Sequence, residues 1–99
     1  YVGRMDHAWA YRPELKRLTA SRPSDYLRRM WYDTCVFRPE HVATLVALAG
    51  AERVMLGSDY PFDMGDPDPV GTVEKAGLSA ADLAKVCGGT ARDFFRLAW

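Results

Sequence analysis

The sequence is poor in metal-binding and nucleophilic groups: 99 residues contain only two histidines, His7 and His41, and two cysteines, Cys35 and Cys87. The histidines form no His-x-His pair, and no Ser or Cys has a neighbouring His suited to activate it, so no local nucleophilic dyad is encoded. There is no phosphate-binding loop, because Gly88-Gly89 lacks both a preceding strand and a basic partner. No apolar run approaches the ~18 residues of a membrane span, and no basic-then-apolar signal segment is present. Charge of one sign is also lacking. Thirteen Lys/Arg balance thirteen Asp/Glu, so no global field draws the chain to nucleic acid or to anionic lipid. Internal repeats and low-complexity linkers are absent.

Apolar residues are plentiful. Hydrophobic residues make up 48% of the chain, with three Trp, which excludes disorder. The two cysteines sit inside apolar patterns and read as reduced core thiols of a cytoplasmic protein. The length allows one small domain at most. The chain opens on Tyr1 directly in structured-looking sequence, which leads us to expect a piece of something longer.

Residues 31–37, Trp31-Tyr-Asp-Thr-Cys-Val-Phe37, are aromatic and β-branched and predict a strand. Pro39 then suits a first helical position, and Val42, Leu45, Val46 and Ala49 recur along one helix face before Gly50. Residues 53–57, Arg53-Val-Met-Leu-Gly57, form a short unbroken apolar run of the kind covered on both faces in a parallel sheet. Strand, helix, strand is a βαβ unit. Helices are also predicted from Pro13, from a Ser24 cap, from Asp68-Pro69, from Ser79 with Asp82, and from Thr90 with Asp93. Gly88-Gly89 is expected to separate the last two. Tryptophans and phenylalanines at helical spacing are expected in the core. Two parallel strands leave edges exposed, so residues 1–99 look like the last strands and helices of a larger α/β domain.

Gly57-Ser58-Asp59-Tyr60-Pro61-Phe62 follows the second apolar run. Parallel α/β folds assemble their sites at the C-terminal ends of strands. An acid there is expected to be poorly solvated and to need a metal, an arginine or loop N–H donors. Spacing leaves three roles open for Asp59: loop cap, metal ligand or catalytic acid, and solvated side chain. Asp63, Asp66 and Asp68 read as a solvated turn with helix caps, since Pro67 and Pro69 prevent a compact calcium loop. His41 reads as a surface residue of a helix first turn. From the residues alone, Arg4 fits an exposed salt bridge and Phe62 fits simple packing.

Three blocks carry a family resemblance: Tyr1-Val-Gly3-Arg4-Met-Asp6-His7, Tyr26-Leu27-Arg28-Arg29 with Tyr32-Asp33-Thr34, and Leu56-Gly57-Ser58-Asp59-Tyr60-Pro61-Phe62-Asp63-Met64-Gly65. In consistent order they resemble the C-terminal third of the aminocarboxymuconate-semialdehyde decarboxylase family, within the amidohydrolase superfamily. The resemblance implies an α/β fold: the C-terminal part of a metal-dependent (β/α)8 TIM barrel. Residues 1–99 would be one portion of a single barrel domain, its N-terminal two thirds absent, with 31–37 and 53–57 as the seventh and eighth strands. It implies that Asp59 is both catalytic and a ligand of a divalent metal, usually zinc. Arg4 would bind a substrate carboxylate in the neighbouring subunit of a homodimer, and Phe62 would pack beside that substrate.

The family's remaining ligands and acid/base are histidines that these residues do not contain, so the chain by itself is expected to be inactive. The implied chemistry is non-oxidative decarboxylation of an unsaturated or aromatic carboxylic acid, such as 2-amino-3-carboxymuconate 6-semialdehyde, without an organic cofactor. A metal-dependent hydrolase of the same superfamily and a metal-free α/β binding or assembly module are the alternatives.

Overall fold

A computed structural model describes residues 1–99. Three helices come first: α1 (Val2–Tyr11), α2 (Pro13–Leu18) and α3 (Pro23–Leu27). The βαβ unit follows as β1 (Tyr32–Asp33), α4 (Pro39–Ala49), a 3-10 turn (Ala51–Arg53) and β2 (Val54–Met55). The remainder is α5 (Pro69–Glu74), α6 (Ala80–Ala84), a π-helical turn (Lys85–Gly89) and α7 (Thr90–Phe95). Strands β1 and β2 pair in parallel, Tyr32 opposite Val54 and Asp33 opposite Met55.

The expected βαβ unit is present, with strands much shorter than the apolar runs that announce them. Beyond Asp33 the chain turns at once: the Cys35 N–H bonds the Asp33 side chain at 2.9 Å and the Val36 N–H bonds the Thr34 carbonyl at 2.7 Å. Phe37 then adopts a left-handed φ of 60°. Beyond Met55, the Leu56 N–H turns to the Val86 carbonyl at 2.9 Å. A π turn carries an extra residue, which frees carbonyls from the helical ladder. Gly88-Gly89 lies inside this turn and therefore joins α6 to α7 rather than separating them.

Capping follows the sequence in part. Asp68 accepts the Gly71 N–H and Ser79 accepts the Asp82 N–H, each at 3.1 Å. Pro39 opens α4, and Gly50 closes it at φ 95°, a backbone suited to glycine. Two expected caps are corrected. Pro23 takes the first position of α3 with Arg22 at its N-cap, so Ser24 lies within the helix, and its N–H donates to Asp6 at 2.9 Å. Thr90 does not cap α7; its hydroxyl is buried and donates to the Ala51 carbonyl at 2.8 Å. Residues 2–11 form a helix not among those predicted, although Val2, Met5, Ala8 and Trp9 stand at helical spacing, because Gly3, Arg4, Asp6 and His7 make this stretch polar overall.

The core is a cluster of small aliphatics, one from nearly every element around β2: Val42, Ala51, Val54, Val73 and Val86. Leu45, Val46 and Cys87 pack on its edge. Both cysteines are free and half-buried, and burial pushes the Cys87 thiol above its ordinary value. The expectation of an aromatic core is corrected: Trp31, Phe37, Phe62, Phe94, Phe95 and Trp99 are all exposed. Only 8 of 99 residues are buried, and the radius of gyration is 15.7 Å against about 13 Å for a closed domain of this length. Two strands form too narrow a layer to cover both the helices and the large rings. No helix is long and apolar enough to cross a membrane.

Val54→Ala, which empties a fully buried site, lowers stability by about 1–3 kcal/mol in denaturant unfolding of the whole protein. Hydrogen bonds from the side chain and backbone of Ser24 hold the Asp6 carboxyl below its usual range. The docking of α1 on α3 is therefore fully supported above the usual carboxylate pKa and weakens as pH falls through the lowered one. An NMR titration of Asp6 shows the lowered midpoint, and Ser24→Ala moves it back towards the ordinary value.

Candidate metal-ligand loop at the strand ends

β2 delivers the chain through Leu56 and Gly57 to a tight loop. The Asp66 N–H bonds the Ser58 carbonyl at 2.8 Å. The Phe62 N–H bonds the Asp59 carbonyl and the Gly65 N–H bonds the Phe62 carbonyl, both at 3.0 Å. The Tyr60 N–H reaches the Ser58 hydroxyl at 3.3 Å, and the Tyr60-Pro61 peptide is cis. Gly65 is required by close approach, since a Cβ there would lie 2.7 Å from the Ser58 carbonyl oxygen. Within this loop Asp59 has φ 60°, a left-handed conformation that Asp tolerates better than most residues.

The expected poor solvation of Asp59 is corrected: the side chain is exposed. Met55 is the last paired residue, and the loop lifts the acid off the end of β2 into solvent. No hydrogen bond or ion pair within the chain engages the Asp59 carboxylate, which removes the loop-cap role. Of the other acids, Asp63 is exposed and likewise makes no hydrogen bond or ion pair, whereas Asp66 and Asp68 are engaged locally. Asp66 accepts the Asp68 N–H and the Thr72 hydroxyl, each at 2.9 Å, and Asp68 caps α5, as the sequence suggested.

Residues at and just beyond the end of β1 complete the strand-end surface, and the sequence marks no individual role for Asp33 or Thr34. Thr34 is almost fully buried, and its hydroxyl accepts the Gly57 N–H at 3.1 Å and donates to the Gly57 carbonyl at 3.3 Å. A Cβ on Gly57 would lie 2.9 Å from the Asp33 Cβ and 3.4 Å from the Cys35 sulfur. Burial first, then the charges of Asp33, Asp59 and Asp66, raise the Cys35 thiol above its ordinary value. The strand ends thus carry a local negative field that favours a cation. Period-two patterning marks Thr34 only as a strand residue; its bond to Gly57 spans 23 positions and leaves no local sequence signal.

Asp59 suits a divalent ion as a single donor: a free carboxylate on a short, hydrogen-bonded loop. No group of three or more His, Cys, Asp or Glu side chains converges anywhere in the chain, so these residues fit as part of a donor set. Phe62 is exposed in the Asp59 loop. Arg4 is exposed in the first turn of α1, makes no ion pair, and has no bond to Asp59. His41 is exposed on α4, and His7 stacks on Tyr11 with ring centroids 4.4 Å apart. The largest cavity, about 430 Å³, is lined by Trp31 and Arg53, which precede the strands. There the Arg53 guanidinium covers the Trp31 ring at 4.1 Å. It belongs to the opposite ends of the strands from Asp59.

The amidohydrolase family model matches residues 3–97. The chain is 33% identical to 2-amino-3-carboxymuconate-6-semialdehyde decarboxylase of Dictyostelium discoideum over 98 residues, 97% of this chain and 27% of that protein. It is 36% identical to the protein of the same name from Caenorhabditis elegans over 76 residues, 74% of this chain and 18% of that protein. The chain thus spans about a quarter or less of the curated relatives it matches. The crystal structure of Metarhizium anisopliae IDCase in apo form superposes with a TM-score of 0.78 at 19% identity, covering 97% of this chain and 30% of that one. That likeness establishes the fold: α/β, part of a TIM barrel, with β1 and β2 as two of its parallel strands. The chain belongs to the amidohydrolase family and resembles its aminocarboxymuconate-semialdehyde decarboxylases.

Proposed function

We propose that residues 1–99 are the C-terminal portion of a single barrel domain in a metal-dependent, non-oxidative carboxy-lyase. Its substrate is an unsaturated or aromatic carboxylic acid, of which 2-amino-3-carboxymuconate 6-semialdehyde is the model. One observation carries the reading: Asp59, free of any partner, is presented at the C-terminal end of a parallel strand. Barrel enzymes place catalytic groups at such ends. The exposed aromatics around the valine core are faces that the remaining strands and helices of the domain would cover.

Asp59 would hold the ion, most simply zinc, together with histidines from the rest of the domain. When bound, the ion supplies Lewis acidity. The chain's own part is positional. Asp59 fixes one ligand direction and adds negative charge to the shell. Phe62, in the same turn, offers an apolar wall that excludes water beside the reacting carbon. Arg4 of the partner subunit would grip the substrate carboxylate through a charge-assisted fork, which makes a homodimer necessary. Two unpaired thiols accord with a cytoplasmic setting. The family's name also covers hydrolases, and hydrolysis of a carbonyl substrate is the second reading.

In the whole protein, Asp59→Asn, which the left-handed backbone accommodates, keeps the native circular dichroism spectrum while zinc content and turnover fall together; a folded, fully active variant refutes the ligand assignment. Arg4→Ala lowers kcat/KM on acidic substrates by about 10- to 100-fold, the loss of a charge-assisted contact worth about 1.5–3 kcal/mol. Unchanged kinetics on those substrates would favour the hydrolase.

A further inference from the structure

We infer that Thr34 is a positioning residue for Asp59, acting through the backbone of Gly57. The inference rests on Asp59 being the metal ligand and extends that reading across to the neighbouring strand. The β1–β2 ladder ends at Asp33 opposite Met55, four residues short of Asp59. From there the path to the acid needs another restraint, and Thr34 provides it. Its hydroxyl takes the Gly57 N–H and returns a hydrogen bond to the Gly57 carbonyl, at 3.1 and 3.3 Å. One side chain therefore satisfies both polar groups of a residue two positions before the ligand, as a further rung of ladder would.

The arrangement is tight on every side. Thr34 is 1% exposed, so water cannot replace its hydroxyl. The Asp33 Cβ and the Cys35 sulfur leave no room for a side chain at Gly57. The next carbonyl, that of Ser58, is held by the Asp66 N–H from the far end of the loop. Gly57 is thus pinned by Thr34, just beyond β1, and Ser58 by the far end of the loop, and Asp59 leaves this anchored pair. Outer groups that orient a ligand tune metal affinity without touching the ion.

The test uses the whole zinc-loaded enzyme, titrated with a chelator while circular dichroism reports the fold. Thr34→Val removes the hydroxyl at nearly constant volume and weakens zinc retention by about 10- to 100-fold, with kcat reduced more than KM is raised. Thr34→Ser keeps the hydroxyl and restores wild-type retention, which separates hydrogen bonding from packing. A folded Thr34→Val enzyme with wild-type zinc retention, beside an Asp59→Asn enzyme that has lost zinc, overturns the inference and leaves the ligand reading standing. Zinc retained by Asp59→Asn overturns the ligand reading and this inference with it. Should Thr34→Val fail to fold, Thr34→Ala read against Thr34→Ser carries the test, since both shrink the side chain and only the first removes the hydroxyl that bonds Gly57. Weakened retention supports positioning, and wild-type retention overturns it.

Discussion

Everything at the candidate site depends on how a two-residue parallel pairing is held in place. Four residues in register cannot define a strand end alone. The valine cluster supplies the rest: Val54 of β2 is buried in it together with Val42 of α4, Val73 of α5 and Val86 of the π turn, and α4 and the π turn both contact β2. Each buried valine is worth about 1.5–3 kcal/mol, enough together to fix the position of β2 and its exit. The π turn contributes a second restraint by offering the Val86 carbonyl to the Leu56 N–H just where β1 stops pairing. The direction in which the chain leaves β2 is thus set by packing at Val54 and by hydrogen bonds at Leu56 and Gly57.

The sequence announced the parts of this arrangement that are local. The helix face of Val42, Leu45, Val46 and Ala49 and the caps at Asp68 and Ser79 follow from spacing and appear in the structure, and the run from Arg53 to Gly57 appears as a strand over Val54–Met55 alone. Asp59 was legible as an acid at a strand end. Its exposure was one of the roles that spacing left open, and spacing could not select it, because solvation depends on a loop closed by Gly65 and Asp66, whose bonds no periodicity shows. Thr34 and Thr90 were misread or passed over for the same reason: their hydroxyls serve carbonyls and amides 23 and 39 residues away. Gly88-Gly89 looked like a break between helices, yet the chain continues through it as a π turn. The aromatics at helical spacing promised a core that this narrow layer does not close.

Roles within the site divide according to what the chain contains. It brings a carboxylate without a partner, an adjacent exposed aromatic and a negative local field, and it lacks any convergent set of ligands. Such a set suits one quadrant of a shared metal shell. Arg4 stands exposed on α1, which packs on α2 and α3, and it forms no ion pair with Asp59 of the same chain.

The most direct measurement is anomalous diffraction at the zinc edge from crystals of the whole protein. The account predicts a single strong peak about 2.0–2.2 Å from a carboxylate oxygen of Asp59, with imidazole nitrogens completing the shell. Density showing that carboxylate hydrogen-bonded only to loop amides, with zinc absent or held elsewhere, would contradict it.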